Sequence, residues 1–168
     1  MGYVHDTSMS QFVSPFKYGK SAGTWTPTLS SNVASDDRTA ADANFNLFIP
    51  ILLPSNSAAL KGAYLKTIEV MYYVGTSAMD DVATVELEKV VFANDGTPTG
   101  SAPTVTLDTA NDTAAERKAT GYHRMVVTLS TPVWVDNDDA YWLYIAVDGS
   151  SGGVWKNYGA IVNFTLRI

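Results

Sequence analysis

Cysteine is absent from this 168-residue chain. That removes disulfide frameworks, thiolate zinc sites, iron–sulfur clusters and thiol nucleophiles together. Histidine is nearly absent: His5 and His123 are the whole complement, and no His-x-x-x-His or related spacing exists to hold zinc. The Gly-x-Ser-x-Gly turn that exposes a nucleophilic serine is missing too. Cations are few, 11 Lys and Arg against 17 Asp and Glu, for a formal charge of −6. Such a surface repels phosphate backbones and anionic lipid, so neither nucleic acid nor a membrane is expected as a direct partner. No apolar stretch is long enough to cross a bilayer as a helix. Residues 1–8 lack the basic segment and apolar run of a secretory signal, which leads to the expectation of a protein made and folded in a cytoplasm.

What is present is strand rhythm. Tyr141, Leu143, Ile145 and Val147 alternate along one segment, and Ala160, Val162, Phe164, Leu166 and Ile168 along the next. An apolar residue at every second position is what a pleated strand needs to lay one face on a core. The Asp-Gly-Ser-Ser-Gly-Gly stretch at 148–153 separates them, and the pair is expected to form a β-hairpin. Upstream, Phe45, Leu47, Ile49 and Ile51 alternate, with Phe48 and Leu52 on the other parity, and Pro50 argues for an edge or a bulge. Residues 61–75 place Tyr64, Ile68, Val70, Tyr72 and Val74 on one face, with Leu65, Met71 and Tyr73 on the other. In residues 82–92, Val85, Leu87 and Val91 oppose Thr84, Glu86 and Glu88, the contrast of a half-exposed strand.

One helix is expected, at 111–119, capped by Asp112 or Thr113 and ended by Gly121. Seven or eight strands with a single short helix indicate an all-β, antiparallel two-sheet sandwich, jelly roll or immunoglobulin-like, over residues 43–168. At this length the chain buries roughly 70% of the surface it exposes when unfolded, enough to need no staple. Residues 1–42 differ, being rich in Ser, Thr, Gly, Ala and Asp with isolated aromatics at Tyr3, Phe12, Phe16, Tyr18 and Trp25. They read as an extended N-terminal arm anchored by those rings on its own or an adjacent subunit, with residues 25–29 adding an edge strand.

Candidate chemistry is sparse. Glu86 and Glu88 sit at i, i+2, about 7 Å apart on one strand face, the separation of a glycosidase pair, but a solvated face explains them as well. The Asp-Asn-Asp-Asp turn at 136–139 is the best cation candidate, yet it lacks the glycine and the bidentate glutamate of a calcium loop, Val147 standing at the latter position. Asn111 and Asn163 each begin a glycosylation sequon, without a signal peptide to give it meaning. No catalytic residue, metal or cofactor is assigned, and the chain is expected not to be an enzyme.

What calls for a partner is the second face of these strands. Trp142 and Tyr144 lie opposite the core parity in one strand, and Leu65, Met71 and Tyr73 in another. With Phe12, Phe16, Tyr18 and Trp25 they form a set of interface candidates, to be covered by the arm, by a neighbouring subunit or by a ligand. The segments Thr-Pro-Val-Trp-Val-Asp-Asn-Asp-Asp-Ala-Tyr-Trp-Leu at 131–143 and Tyr-Gly-Ala-Ile-Val-Asn-Phe-Thr-Leu-Arg-Ile at 158–168, with the aromatic arm, resemble small virion proteins of tailed bacteriophages, of the capsid-decoration or tail-associated jelly-roll type. The resemblance implies a non-enzymatic, self-associating virion component, most simply a homotrimer beside a major capsid protein. The alternative is a carbohydrate-binding β-sandwich module with Trp142 and Tyr144 as the stacking platform.

Overall fold

The computed structural model describes residues 5–55 and 62–167; Tyr3 and Ile168 lie outside them. Twelve strands and one helix occur among the described residues. The chain runs β1 (Asp6–Val13), a single 3-10 turn (Pro15–Lys17), β2 (Gly19–Lys20), β3 (Trp25–Ser30), β4 (Val33–Arg38), β5 (Asn44–Ile51), β6 (Ala63–Gly75) and β7 (Asp81–Phe92). It continues through β8 (Pro98–Ser101), β9 (Val105–Leu107), α1 (Ala114–Lys118), β10 (Gly121–Trp134), β11 (Asp139–Asp148) and β12 (Val154–Arg167). The larger sheet has the order β3-β4-β12-β6-β10-β9, with β1 also on β12; the smaller has β2-β5-β11-β7-β8. All pairings are antiparallel, and the two sheets form a sandwich, as the strand rhythm indicated.

The core lies between the sheets. The smaller sheet contributes Phe45, Leu47, Ile49, Leu87, Leu143 and Ile145, and the larger Ile68, Val70, Met125, Val127, Trp155 and Val162. The strands in excess of the expected seven or eight, β1, β2, β4 and β8, carry no sustained period-two apolar rhythm. β1, β3 and β4 belong to the larger sheet and β2 to the smaller, so the segment expected as an arm contributes four strands to this sandwich.

The hairpin expected at the C-terminal end does not form. β11 is the centre of the smaller sheet and β12 of the larger, and the 148–153 stretch arches between layers. Period-two alternation states that a strand has a buried face but not which strand lies beside it. A Cβ at Gly149 would come within 2.8 Å of the carbonyls of Ala41 and Ala43, so the arch lies close against the chain entering β5.

Two bulges reset which residues face outward. At Lys66 the partner register jumps from Asn163↔Thr67 to Phe164↔Leu65. Leu65 therefore turns into the core, fully buried, and Tyr64 turns outward, the reverse of an uninterrupted alternation. At Tyr158 the register jumps from Asn157↔Tyr72 to Gly159↔Met71. Gly159 takes φ +118°, a value L side chains rarely adopt, while Tyr158 stands on the outer face. Pro50 lies on a part of β5 that β2 leaves unpaired, since β2 covers only Leu47 and Phe48. Helix α1 carries the capping box Thr113–Glu116, and its buried Arg117 donates to the carbonyls of Val82, Asn111 and Asp112 at 2.8–2.9 Å, tying the helix to β7.

Candidate functional site

The outer face of the smaller sheet is built from the second parity of β5, β11 and β7. Register places Phe48, Tyr144 and Glu86 in one row across the three strands and Pro50, Trp142 and Glu88 in the next. The Phe48 and Tyr144 rings lie 5.4 Å apart at 37°. Trp142 follows Tyr144 on the same face, about 7 Å along the strand. One row the other way the large rings stop: Ala146 lies between Asn46 and Thr84, and beyond it Asp148 lies between Asn44 and Asp81. The small side chain of Ala146 leaves a pocket of about 230 Å³ lined by Asn44, Asn46, Asp81, Ala83 and Asp148. A half-exposed aromatic strip thus runs into a pocket walled by amides and carboxylates. The strip offers flat apolar rings; the walls offer acceptors and amide donors.

The larger sheet has a different outer face. Met71 and Tyr73 on β6 meet Tyr122 and Arg124 on β10 and Tyr158 on β12. The rings of Tyr73 and Tyr122 are 4.7 Å apart, those of Tyr122 and Tyr158 6.0 Å. Partial burial, then the neighbouring Tyr122 hydroxyl, pushes the Tyr158 phenol up to about 12. A groove of about 410 Å³ lies here, lined by Val33, Met71, Tyr122, Arg124 and Tyr158.

The interface candidates are therefore scattered. Trp142 and Tyr144 share the smaller sheet's face, Met71 and Tyr73 the larger sheet's. Leu65 is a core residue, turned inward by the Lys66 bulge, and is corrected from the set on that ground. Tyr18 is also buried, its phenol shifted upward by burial. Trp25 packs edge-on against Phe45 at 5.5 Å and donates from its indole to the Ala22 carbonyl, at the margin of the core. Phe12 and Phe16 remain 59% and 48% exposed. Phe48, Tyr122 and Tyr158 belong to these surfaces and were not singled out. The parities of Phe48 and Tyr122 were legible, whereas Tyr158 faces outward through a bulge that leaves no periodic signal.

The remaining chemistry resolves locally. His123 turns inward, stacked on Tyr72 at 4.6 Å, with its Nε2 2.8 Å from the Ala119 carbonyl. Asp139 of the aspartate turn pairs with Lys89 at 2.8 Å and accepts from the Tyr141 hydroxyl, and the Asp136 carboxylate accepts from the Asn137 amide. Among the described residues no three His, Asp or Glu side chains converge as metal ligands would.

No protein-family model matches the chain, and no curated protein does. Solved structures similar to it include TmCBM61 in complex with β-1,4-galactotriose, at 12% identity over 92% of this chain and 90% of that one, with a TM-score of 0.41. A family 11 carbohydrate-binding module from Clostridium thermocellum, in complex with a mixed-linked tetrasaccharide, has 6% identity over 91% and 94%, TM-score 0.42. The enzymatically active domain of bacteriophage CBA120 tailspike protein 4 has 7% identity over 93% of this chain and 19% of that one, TM-score 0.36. At such scores no residue and no ligand passes from them to this chain.

Proposed function

We propose that the protein is a non-catalytic glycan-binding β-sandwich whose ligand lies on the outer face of the smaller sheet. The observation that carries this reading is the continuity of the Phe48–Tyr144–Trp142 strip with the Ala146-floored polar pocket. A pyranose ring has an apolar C–H face and a rim of hydroxyls. The strip suits the first, through C–H contacts to ring faces, and Asn44, Asn46, Asp81 and Asp148 suit the second, as paired donors and acceptors. Glu86, Glu88, Asp81 and Asp148 make the face acidic, so a uronate or sulfated polymer is repelled and a neutral glycan is preferred.

Retardation in gels containing neutral polysaccharides tests this. Binding that falls about tenfold or more, equivalent to about 1.4 kcal/mol, in Trp142→Ala and Tyr144→Ala supports it. A folded protein that no neutral glycan retards overturns it.

A second reading is a self-associating virion component, a trimer assembling beside a major capsid protein. What favours it is the exposure of Phe12 in β1 and of Phe16 in the 3-10 turn that follows, rings that a neighbouring copy would cover. Light scattering separates the two, since a trimer lost in Phe12→Ser with Phe16→Ser supports assembly and a monomer of unchanged mass opposes it.

A further inference from the structure

We propose that the outer face of the larger sheet is a second, extended glycan site, so that one protomer holds two chains on opposite faces. The choice of a neutral glycan rests on the reading of the smaller sheet; the geometry of this second site does not depend on it.

The face has aromatic groups at both ends of β6, and between them a polar ladder with Phe12, Ile161 and Val126 alongside. At one end stand Tyr73, Tyr122 and Tyr158 beside the groove, with Tyr122 79% exposed. At the other end the rings of Tyr64 and Trp134 lie 4.7 Å apart, brought outward by the Lys66 bulge. Nine residues separate Tyr64 from Tyr73, which is about 30 Å along a strand.

Across the middle runs a hydrogen-bond ladder spanning four strands. The Ser10 hydroxyl donates to Asn163 Oδ1 at 2.6 Å, and the Asn163 amide donates to Thr67 Oγ1 at 3.1 Å and to Glu69 Oε1 at 2.8 Å. The Arg124 guanidinium donates to Glu69 Oε2 at 2.7 Å and 2.5 Å. These groups hold one another in place and keep spare donors and lone pairs for a ligand, the preorganisation that a polar recognition strip requires.

Charge and patchiness select the ligand class. Glu69 is paired with Arg124, and Asp37 with Lys156 at 2.5 Å, so the face is locally neutral, unlike its counterpart on the smaller sheet. The ladder stands between the two ring groups, with Phe12, Ile161 and Val126 beside it in the row of Glu69. Rings at both ends of the face, with hydroxyl, amide and guanidinium groups between them, suit a linear polymer that presents sugar faces and hydroxyls in turn.

Calorimetric titration of the full chain with cellohexaose, xylohexaose and mannohexaose decides it. The wild type is expected to take up two chains per protomer from the hexaose it binds. Trp142→Ala with Tyr144→Ala reduces this to one, Tyr122→Ala with Arg124→Ala also to one, and the four together abolish it. Both replaced residues of the second site are on the surface, and an unchanged melting curve serves as the check on folding. If binding survives Trp142→Ala with Tyr144→Ala and is lost in Tyr122→Ala with Arg124→Ala, the larger sheet's site stands and the smaller sheet's reading fails. A wild-type stoichiometry of one that vanishes in Trp142→Ala with Tyr144→Ala overturns the second site. So does a change of oligomeric mass in Tyr122→Ala with no hexaose bound, which identifies a protein interface instead.

Discussion

Tyr144 stands directly across from Phe48 in the register of β11 and β5, their ring centroids 5.4 Å apart on the outer face of the smaller sheet. Neither ring contributes to the core, and replacing Tyr144 by Ala is expected to weaken binding of neutral glycans about tenfold, roughly 1.4 kcal/mol, while costing the fold only the 0.5–1.5 kcal/mol or so of an aromatic pair. Parallel affinity gels and urea melts check the two effects separately. A stability loss that accounts for the whole binding defect rejects Tyr144 as a contact.

The Lys66 bulge makes neighbouring residues unequal. Leu65→Ala removes a fully buried side chain and is expected to cost about 2–5 kcal/mol. Tyr64→Ala loses only the surface pair with Trp134, about 0.5–1.5 kcal/mol. Urea denaturation of the two variants measures the difference, and equal losses contradict the bulge.

Gly159 joins a positive φ to a close neighbour. A Cβ there would come within 2.5 Å of the Phe12 ring and 2.8 Å of the Val13 carbonyl, at φ +118°. Gly159→Ala is expected to destabilise by about 1–3 kcal/mol. Adding Phe12→Ala should restore part of the loss, since it removes the ring contact but leaves the backbone conformation and the Val13 carbonyl. A double-mutant cycle by denaturation shows whether the coupling exists.

Stability is expected to fall at alkaline pH. Burial foremost, aided by the Tyr122 hydroxyl, raises the Tyr158 phenol from 10.0 to about 12. Burial also raises Tyr18 and Tyr72. Between pH 10 and 12 the unfolded chain releases these protons while the folded chain keeps them, so the unfolded state binds fewer protons and stability declines with rising pH. Below pH 10 the contribution is fully present. Tyr158→Phe should flatten the decline without removing it, because the buried Tyr18 and Tyr72 remain; urea midpoints across pH 9–12 measure this.

The alternation of Phe45, Leu47, Ile49 and Ile51, and of Tyr141, Leu143, Ile145 and Val147, was by itself enough to place a two-layer β fold, because burying one face of a pleated strand demands a period of two. A cap at Asp112 or Thr113 and the stop at Gly121 likewise announced the short helix, since caps are local arrangements readable over a few residues. The same letters marked Trp142 and Tyr144 as outward rings. They did not say that β11 and β12 part into different sheets, because partner choice depends on contacts between residues far apart in the chain. Nor did they say that Leu65 turns in and Tyr158 turns out, because a bulge is a disagreement between two strands' registers and exists only when both are paired. The rows that set Ala146 between Asn46 and Thr84, and the ladder from Ser10 to Arg124, belong to tertiary structure for the same reason: each joins side chains from three or four strands that only the packed sheets bring side by side.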